Sequence, residues 1–315
     1  MQELKATRDG YGEALLQLGQ EEPRVAVVDA DLFHSTRTDR FAEAFPDRFF
    51  EVGIAEQDMV STAVGLALAG MIPFANSFAV FLTGRAFDQI RQQVALPAAS
   101  VKLAGSSAGI TQGPDGATHQ SVLDVALMRS LPNMCVVVPS DVQEARLATR
   151  AAAQRSGPVY LRLSRYETPV WREAGAPFAI GQAEVRRPGK DVTLIACGVI
   201  LGRVLEAAEA LAHEGIAAEV INAHTVKPLD ADTLLSSCER TGAVVTVEEH
   251  SIIGGLGSAV AEMLAERATR RIPLRRLGVA DTFGESGSAD ELLAKHGLTA
   301  AAIAAAGRAL VAQKR

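Results

Sequence analysis

The sequence is poor in cysteine, in net positive charge and in uninterrupted apolar length, and each shortage removes a class of protein. Its three cysteines, Cys135, Cys197 and Cys238, lie far apart in 315 residues, so neither a disulfide scaffold nor zinc-ligand spacing is present. A formal net charge of -6 gives no general attraction to nucleic acid or to an anionic membrane. The longest apolar stretch, Met59 to Ala75, is broken by Ser61, Thr62, several glycines and Pro73, and does not read as a membrane span. The start, Met1 to Gly10, is polar and lacks an apolar signal core, so the expected location is cytoplasmic. Small molecules and other proteins remain as partners.

What is present is an ordinary globular composition, 48% hydrophobic and 22% charged, long enough for about two domains. Short runs rich in β-branched residues alternate with helix-length segments. Val25 to Val28, Phe49 to Val52, Val101 to Ala104, Cys135 to Val138 and Val159 to Leu163 read as buried strands. Such a rhythm predicts a parallel sheet with helices on both faces, because parallel strands need crossovers and the crossovers cover the sheet. Between Arg165 and Lys190 repeated proline and glycine break the periodicity, which reads as a linker. Strands then resume at Val192 to Cys197, Ala218 to Ile221, Ala243 to Val247 and Pro273 to Leu277, with a closing helix over Leu298 to Val311. The expected fold is therefore α/β, with two doubly wound sheets: a first domain over 1–168, a linker over 169–188 and a smaller domain over 189–315.

The stretch from Glu51 to Asp58 puts Glu56 behind a strand and in the first turn of an apolar helix running to Gly70. From position alone, such an acid could simply face solvent and favour the helix dipole. The helix that follows, with Met59, Val60, Ala63, Val64, Leu66 and Leu68, is apolar nearly all round, which predicts that its first turn is buried. A buried carboxyl needs a polar partner, and no obvious one lies nearby in sequence. Phe78 and Phe81 are three apart and, with Phe87 and Ile90, fit a helix face packed into a core. Asp115 and His119 close a glycine-rich stretch, leading into a helix expected at Ser121; as a metal pair they lack a third ligand.

In order along the chain, Val52 to Gln57, Asn76 to Phe81, Arg85 to Arg91, Gly113 to Gln120 and Met128 to Asn133 resemble the transketolase family, specifically its pyrimidine-binding domain. From about residue 185 the chain resembles the family's C-terminal domain, through Asn222 to Asp230 and Glu248 to Gly257. The resemblance implies a thiamine diphosphate site. Glu56 would meet the N1' nitrogen of the cofactor's aminopyrimidine, a role that suits a carboxyl holding its proton among apolar groups. Phe78 and Phe81 would line the ring's slot, and Asp31 would approach the same ring. Asp115 would read a donor-sugar hydroxyl. His119 would contact the substrate near the reacting carbons and exchange a proton there. Arg8, Ser35 and Arg165 match phosphate-binding positions, where fixed guanidinium forks suit an anionic substrate end. Two positions depart from the family pattern, Gly84 at an aromatic wall and Ser107 at a phosphate-side histidine.

The family's magnesium and diphosphate motif, a Gly-Asp-Gly with a downstream Asn, has no counterpart here. By the resemblance, the chain is the C-terminal-half subunit of a split transketolase. A separate N-terminal-half subunit would hold magnesium and the diphosphate, in a heterotetramer of two plus two acting on a sugar phosphate. The glycines near Gly255 read as a helix start supporting assembly, since the dinucleotide fingerprint is absent. The alternatives are the beta subunit of a 2-oxo acid dehydrogenase, a deoxyxylulose phosphate synthase-like subunit, and a non-catalytic module that kept the fold.

Overall fold

The computed structural model describes residues 4–173 and 175–314. Its first sheet joins β2 (Val25–Asp29), β3 (Phe49–Glu51), β4 (Ile72–Phe78), β5 (Lys102–Ser106), β6 (Cys135–Val137) and β7 (Val159–Arg162), all parallel, with β12 (Thr225–Lys227) antiparallel at one edge, in the order β12-β6-β7-β5-β4-β2-β3. The second joins β9 (Glu184–Arg187), β10 (Val192–Ala196), β11 (Ala218–Asn222), β13 (Val244–Ser251) and β14 (Leu274–Val279) in the order β14-β13-β10-β11-β9, with only β9 antiparallel. A small ribbon pairs β1 (Leu4–Ala6) with β8 (Glu167–Pro169).

Strand alternation builds the layers, because successive side chains point to opposite faces. Val25, Val27, Phe74, Cys135, Val137, Val159 and Leu161 enter one core beneath helices Thr7–Glu21 and Val142–Gln154. Their neighbours Val28, Ala75, Val136 and Tyr160 face the other way, into a cluster with Met59, Val60 and Ala63 of helix Glu56–Leu68. That same cluster takes in Ile195, Ile221 and Val244 of the second sheet, so a continuous apolar layer lies between the two sheets. Each such fully buried aliphatic side chain contributes about 1.5–3 kcal/mol. The second sheet turns Val192, Leu194, Val220 and Val245 toward helices Leu201–His213 and Ala300–Gln313. Among the described residues no helix is long and apolar enough to cross a membrane.

Every strand expected from the sequence is present, with ends shifted by a few residues, and the doubly wound α/β class is as expected. Four details differ. β4 was not among the expected strands: helix Glu56–Leu68 stops, Gly70 turns with φ +90, and a central strand begins at Ile72 and runs past the apolar stretch to Phe78. Pro73 is tolerated because pairing with β5 starts only at Phe74. The stretch read as a linker carries β8 and β9, whose partners are far away in sequence. The helix expected at Ser121 begins at Asp124. Finally, Phe78 ends β4 while Phe81 opens a wide helical turn over Phe81–Arg85, so the two do not share a helix face.

Candidate active site

The first sheet reverses its strand order between β2 and β4, and in open parallel sheets ligands bind at the carboxyl ends beside such a reversal. Glu56, Phe78, Phe81 and His119 converge there. Glu56 is only 1% exposed, as expected, but it is not without a partner: Arg85 donates from Nη1 to its Oε2 at 2.6 Å and Ser77 donates to its Oε1 at 3.2 Å. The expectation of a carboxyl set among apolar groups alone is thus corrected. The signal was within the motif runs themselves, since Ser77 and Arg85 both belong to them. Phe78 and Phe81 stack with centroids 6.0 Å apart and planes 20° from parallel. His119 stands edge-on to both rings, 5.2 Å from Phe81 and 6.2 Å from Phe78, and its Nδ1 is 2.9 Å from the Thr118 hydroxyl. The Arg85 guanidinium lies over Phe81 at 4.6 Å. A flat N–H donor therefore already rests on an aromatic face and bonds to the buried acid.

Asp115, exposed, accepts from Gln112 Nε2 at 2.5 Å and from Arg165 Nη1 at 3.0 Å, while Arg165 Nη2 donates to the Gln112 carbonyl at 2.5 Å. Arg8 donates from Nη1 to the Ser35 carbonyl at 3.1 Å, and its buried Nε has no partner. Burial, and then the neighbouring Arg37 charge, hold Arg8 below the ordinary guanidinium range; Arg165 acts in the same direction. A cluster of cations with an unsatisfied N–H is suited to an anion. Asp31 sits on an exposed turn at φ 59, its amide held by Glu51 Oε1 at 2.8 Å, and among the described residues no hydrogen bond joins it to the Glu56 group.

The 105–121 segment is held from the second sheet. Glu249 of β13 accepts the Thr111 N–H at 2.5 Å, and Gly109 is required beside it, since its φ is +86 and a Cβ would lie 2.2 Å from Glu249 Oε1. Gln120 donates to the Glu285 carbonyl at 2.8 Å. At the two departures, a Cβ on Gly84 would meet open space, and Ser107 is buried at φ 54 with an unpartnered hydroxyl. Among the described residues no group of three or more His, Cys, Asp or Glu could hold a metal ion.

Asp29, passed over in the sequence, ends β2 beside this site. It accepts from the Leu32 amide and from the Thr36 and Thr38 hydroxyls at 2.8–2.9 Å, yet burial pushes it up to about 6 from 3.8. Because the folded value is the higher one, the folded chain takes up this proton first as pH falls, and stability from this group rises between about pH 6 and 3.8. Roughly two pH units at 1.36 kcal/mol each give an amplitude of about 3 kcal/mol at most. Asp29→Asn should flatten the dependence of unfolding free energy on pH across that window, as read by denaturant titrations at pH 7 and pH 5.

Residues 3–170 match the family model for the transketolase pyrimidine binding domain, and residues 181–303 match that for the transketolase C-terminal domain. The chain belongs to the transketolase family. A putative transketolase C-terminal section of Methanocaldococcus jannaschii is 46% identical over 95% of this chain and 94% of that relative. A 6-deoxy-6-sulfo-D-fructose transketolase subunit of Clostridium sp. is 44% identical, covering 98% and 95%. A 1-deoxy-D-xylulose-5-phosphate synthase of Geobacter sulfurreducens is 40% identical over 96% of this chain but 48% of that longer relative. Among solved structures, a split gene transketolase described as an inactive beta4 tetramer superposes with a TM-score of 0.92 at 49% identity, covering 99% of this chain and 100% of that one. The resemblance drawn from the Glu56, Phe78 and His119 runs is borne out for the family, and the chain corresponds to its C-terminal half.

Transketolase-family enzymes use thiamine diphosphate, and the pyrimidine seat in this chain fits that cofactor. The Arg85 guanidinium marks a seat that takes a flat group on the Phe81 face within hydrogen-bond reach of Glu56; N1' differs in being an acceptor, so Glu56 would carry a proton and donate it there. Glu56, Phe78 and Phe81 would hold the ring, and the Arg85 side chain, 45% exposed, would have to swing out.

Proposed function

We propose that this chain is the pyrimidine-binding and C-terminal subunit of a split transketolase that moves a two-carbon ketol unit from a ketose phosphate to an aldehyde acceptor. The observation that carries the proposal is the buried Glu56 carboxyl bonded to a planar group that lies over the Phe81 ring of a stacked phenylalanine pair, beside His119. When bound, thiamine diphosphate would supply the nucleophilic carbon that carries the transferred unit. Glu56 would hold the pyrimidine on its N1' side and favour the reactive tautomer. His119, held next to the Thr118 hydroxyl at the rim of the slot, hands a proton to or takes one from the substrate oxygen as charge moves on and off it. Asp115 would read a donor hydroxyl, and Asp31 would approach the ring. Arg8, with the Ser35 turn and Arg165, receives the anionic end.

A separate N-terminal-half subunit would hold magnesium and the diphosphate, because this sequence has no such motif. The 49% identical structure whose beta-only tetramer is described as inactive supports this dependence. A cytoplasmic heterotetramer of two plus two is the proposed assembly.

The test is reconstitution. The chain alone should transfer nothing; mixed with a separately prepared diphosphate-binding chain, thiamine diphosphate and magnesium, it should transfer a two-carbon unit from a ketose phosphate. A ketose with a terminal sulfonate belongs in the same assay, given the Clostridium relative. Release of carbon dioxide from pyruvate instead would favour the dehydrogenase or synthase alternatives, and transfer by the unmixed chain would overturn the partner requirement.

A further inference from the structure

Asp115, Arg165 and Arg8 reach the substrate side from three separate segments, yet all three back onto Thr111. Gln112, the next residue, donates from Nε2 to Asp115 at 2.5 Å and accepts from Arg165 Nη2 on its carbonyl at 2.5 Å. The Thr111 hydroxyl lies 3.4 Å from that of Ser164, the neighbour of Arg165. Ser164 in turn accepts the Arg8 amide on its carbonyl at 3.2 Å, and it exchanges two hydrogen bonds with Thr7, at 2.7 and 3.2 Å. Thr111 itself is fastened from the second domain: Glu249 on β13, 3% exposed, accepts its N–H.

A second fastening holds the far end of the same segment. Gln120, 4% exposed and adjacent to His119, donates from Nε2 to the Gly113 carbonyl at 3.0 Å and to the Glu285 carbonyl at 2.8 Å, which uses both amide hydrogens. The fit there is close. A Cβ on Gly284 would lie 1.7 Å from Gln120 Oε1, and one on Gly116 would lie 2.6 Å from Ser286 Oγ.

We propose, on the transketolase reading of the site, that Glu249 and Gln120 are positioning residues through which the second domain sets affinity for the anionic donor. Neither touches the donor. Each keeps residues 110–120 in one arrangement, so that Asp115, Arg165 and Arg8 meet the incoming molecule already placed. A loosened segment has to be ordered during binding, and that cost falls on substrate affinity. Glu56, Phe78 and Phe81 stand on other elements, helix Glu56–Leu68, β4 and the turn after it, so the seat for the pyrimidine ring is spared.

Glu249→Leu roughly keeps the size of the side chain and removes the acceptor. In the reconstituted pair it should raise KM for the ketose phosphate about 10-fold, while the thiamine diphosphate concentration giving half-maximal rate stays within about 2-fold. Glu249→Gln keeps an oxygen for the Thr111 N–H and should bring KM back to within about 3-fold of the parent. Gln120→Met leaves β13 untouched, should raise KM in the same way, and carries the test if the leucine chain does not fold. A merely structural role would lower the unfolding midpoint and leave KM alone. Unchanged KM, equal rises for donor and cofactor, or no rescue by glutamine would overturn the proposal. Hydrogen exchange of the full chain by itself reads the fastening without any reaction: amides of residues 110–120 should exchange about 10-fold faster in Glu249→Leu and Gln120→Met, with those of β4 unaltered. Parental exchange rates in both variants would overturn it as well. A parent pair that transfers nothing would defeat the functional reading, and the exchange result would still decide whether the second domain fastens this segment.

Discussion

Glu56→Gln should lower the turnover of the reconstituted pair by about 100-fold or more, with the isolated chain still folded. The substitution is nearly isosteric, so the packing of the first helical turn against Met59 and Val60 survives. What is lost is the acid. A glutamine can still occupy the seat between Ser77 and Arg85, but it offers an amide where N1' needs a carboxyl, and the preference for the reactive tautomer goes with it. Since this interaction is not spent on binding substrate, the loss belongs in kcat, with KM little changed. Steady-state rates on saturating ketose phosphate, with circular dichroism as the folding control, decide it. An unaltered kcat would mean that Glu56 is not the activating acid.

The second large effect concerns stability. Arg162, at the end of β7, donates from Nε to Asp124 Oδ2 at 2.7 Å, and from Nη2 to the carbonyls of Ser121 at 3.1 Å and Glu249 at 2.9 Å. It therefore ties β7, the 105–121 segment and the second sheet together. Tyr160 donates to the same Asp124 oxygen, and neither charged side chain sees appreciable solvent. Arg162→Ala would leave a buried carboxylate uncompensated, and the expected loss is about 3–5 kcal/mol of unfolding free energy, measured by denaturant titration. A double variant, Arg162→Met with Asp124→Leu, should recover much of it, because removing both charges leaves nothing to compensate.

The pH dependence has a definite sign. Burial acts to raise the Asp124 carboxyl, but the charges of Arg162 and His250 and the hydrogen bonds outweigh it, and the group lies below its ordinary 3.8. Its contribution is thus complete above about pH 4 and is lost as pH falls through the folded value, so the Arg162→Ala chain should show a shallower acid transition than the parent. A loss under 1 kcal/mol would show that the network is not the tie between the two halves.

Periodicity and composition made the α/β class and nearly every long strand legible, because a parallel strand buried on both faces must be apolar throughout and needs a helical crossover to reach the next. The stretches that carry Glu56, Phe78, Phe81 and His119 were legible too, as ordered runs of residues. β4 was hidden because the helix before it and the strand itself are both apolar, and only the turn at Gly70 divides them. β1, β8, β9 and β12 were hidden for a different reason. They are short and pair with segments far off in sequence, so no local pattern marks them.

Local sequence was enough to establish that this chain forms two parallel-sheet layers and carries an acid at the start of a buried helix. Which groups meet that acid was decided only when the chain folded: Ser77 and Arg85 reach Glu56 from the end of β4 and the turn after it, and Glu249 reaches Thr111 across the boundary between the sheets. The division has one cause. Backbone periodicity is set within a few residues, whereas the partner of a buried polar group is whichever donor the packing of distant segments brings within about 3 Å.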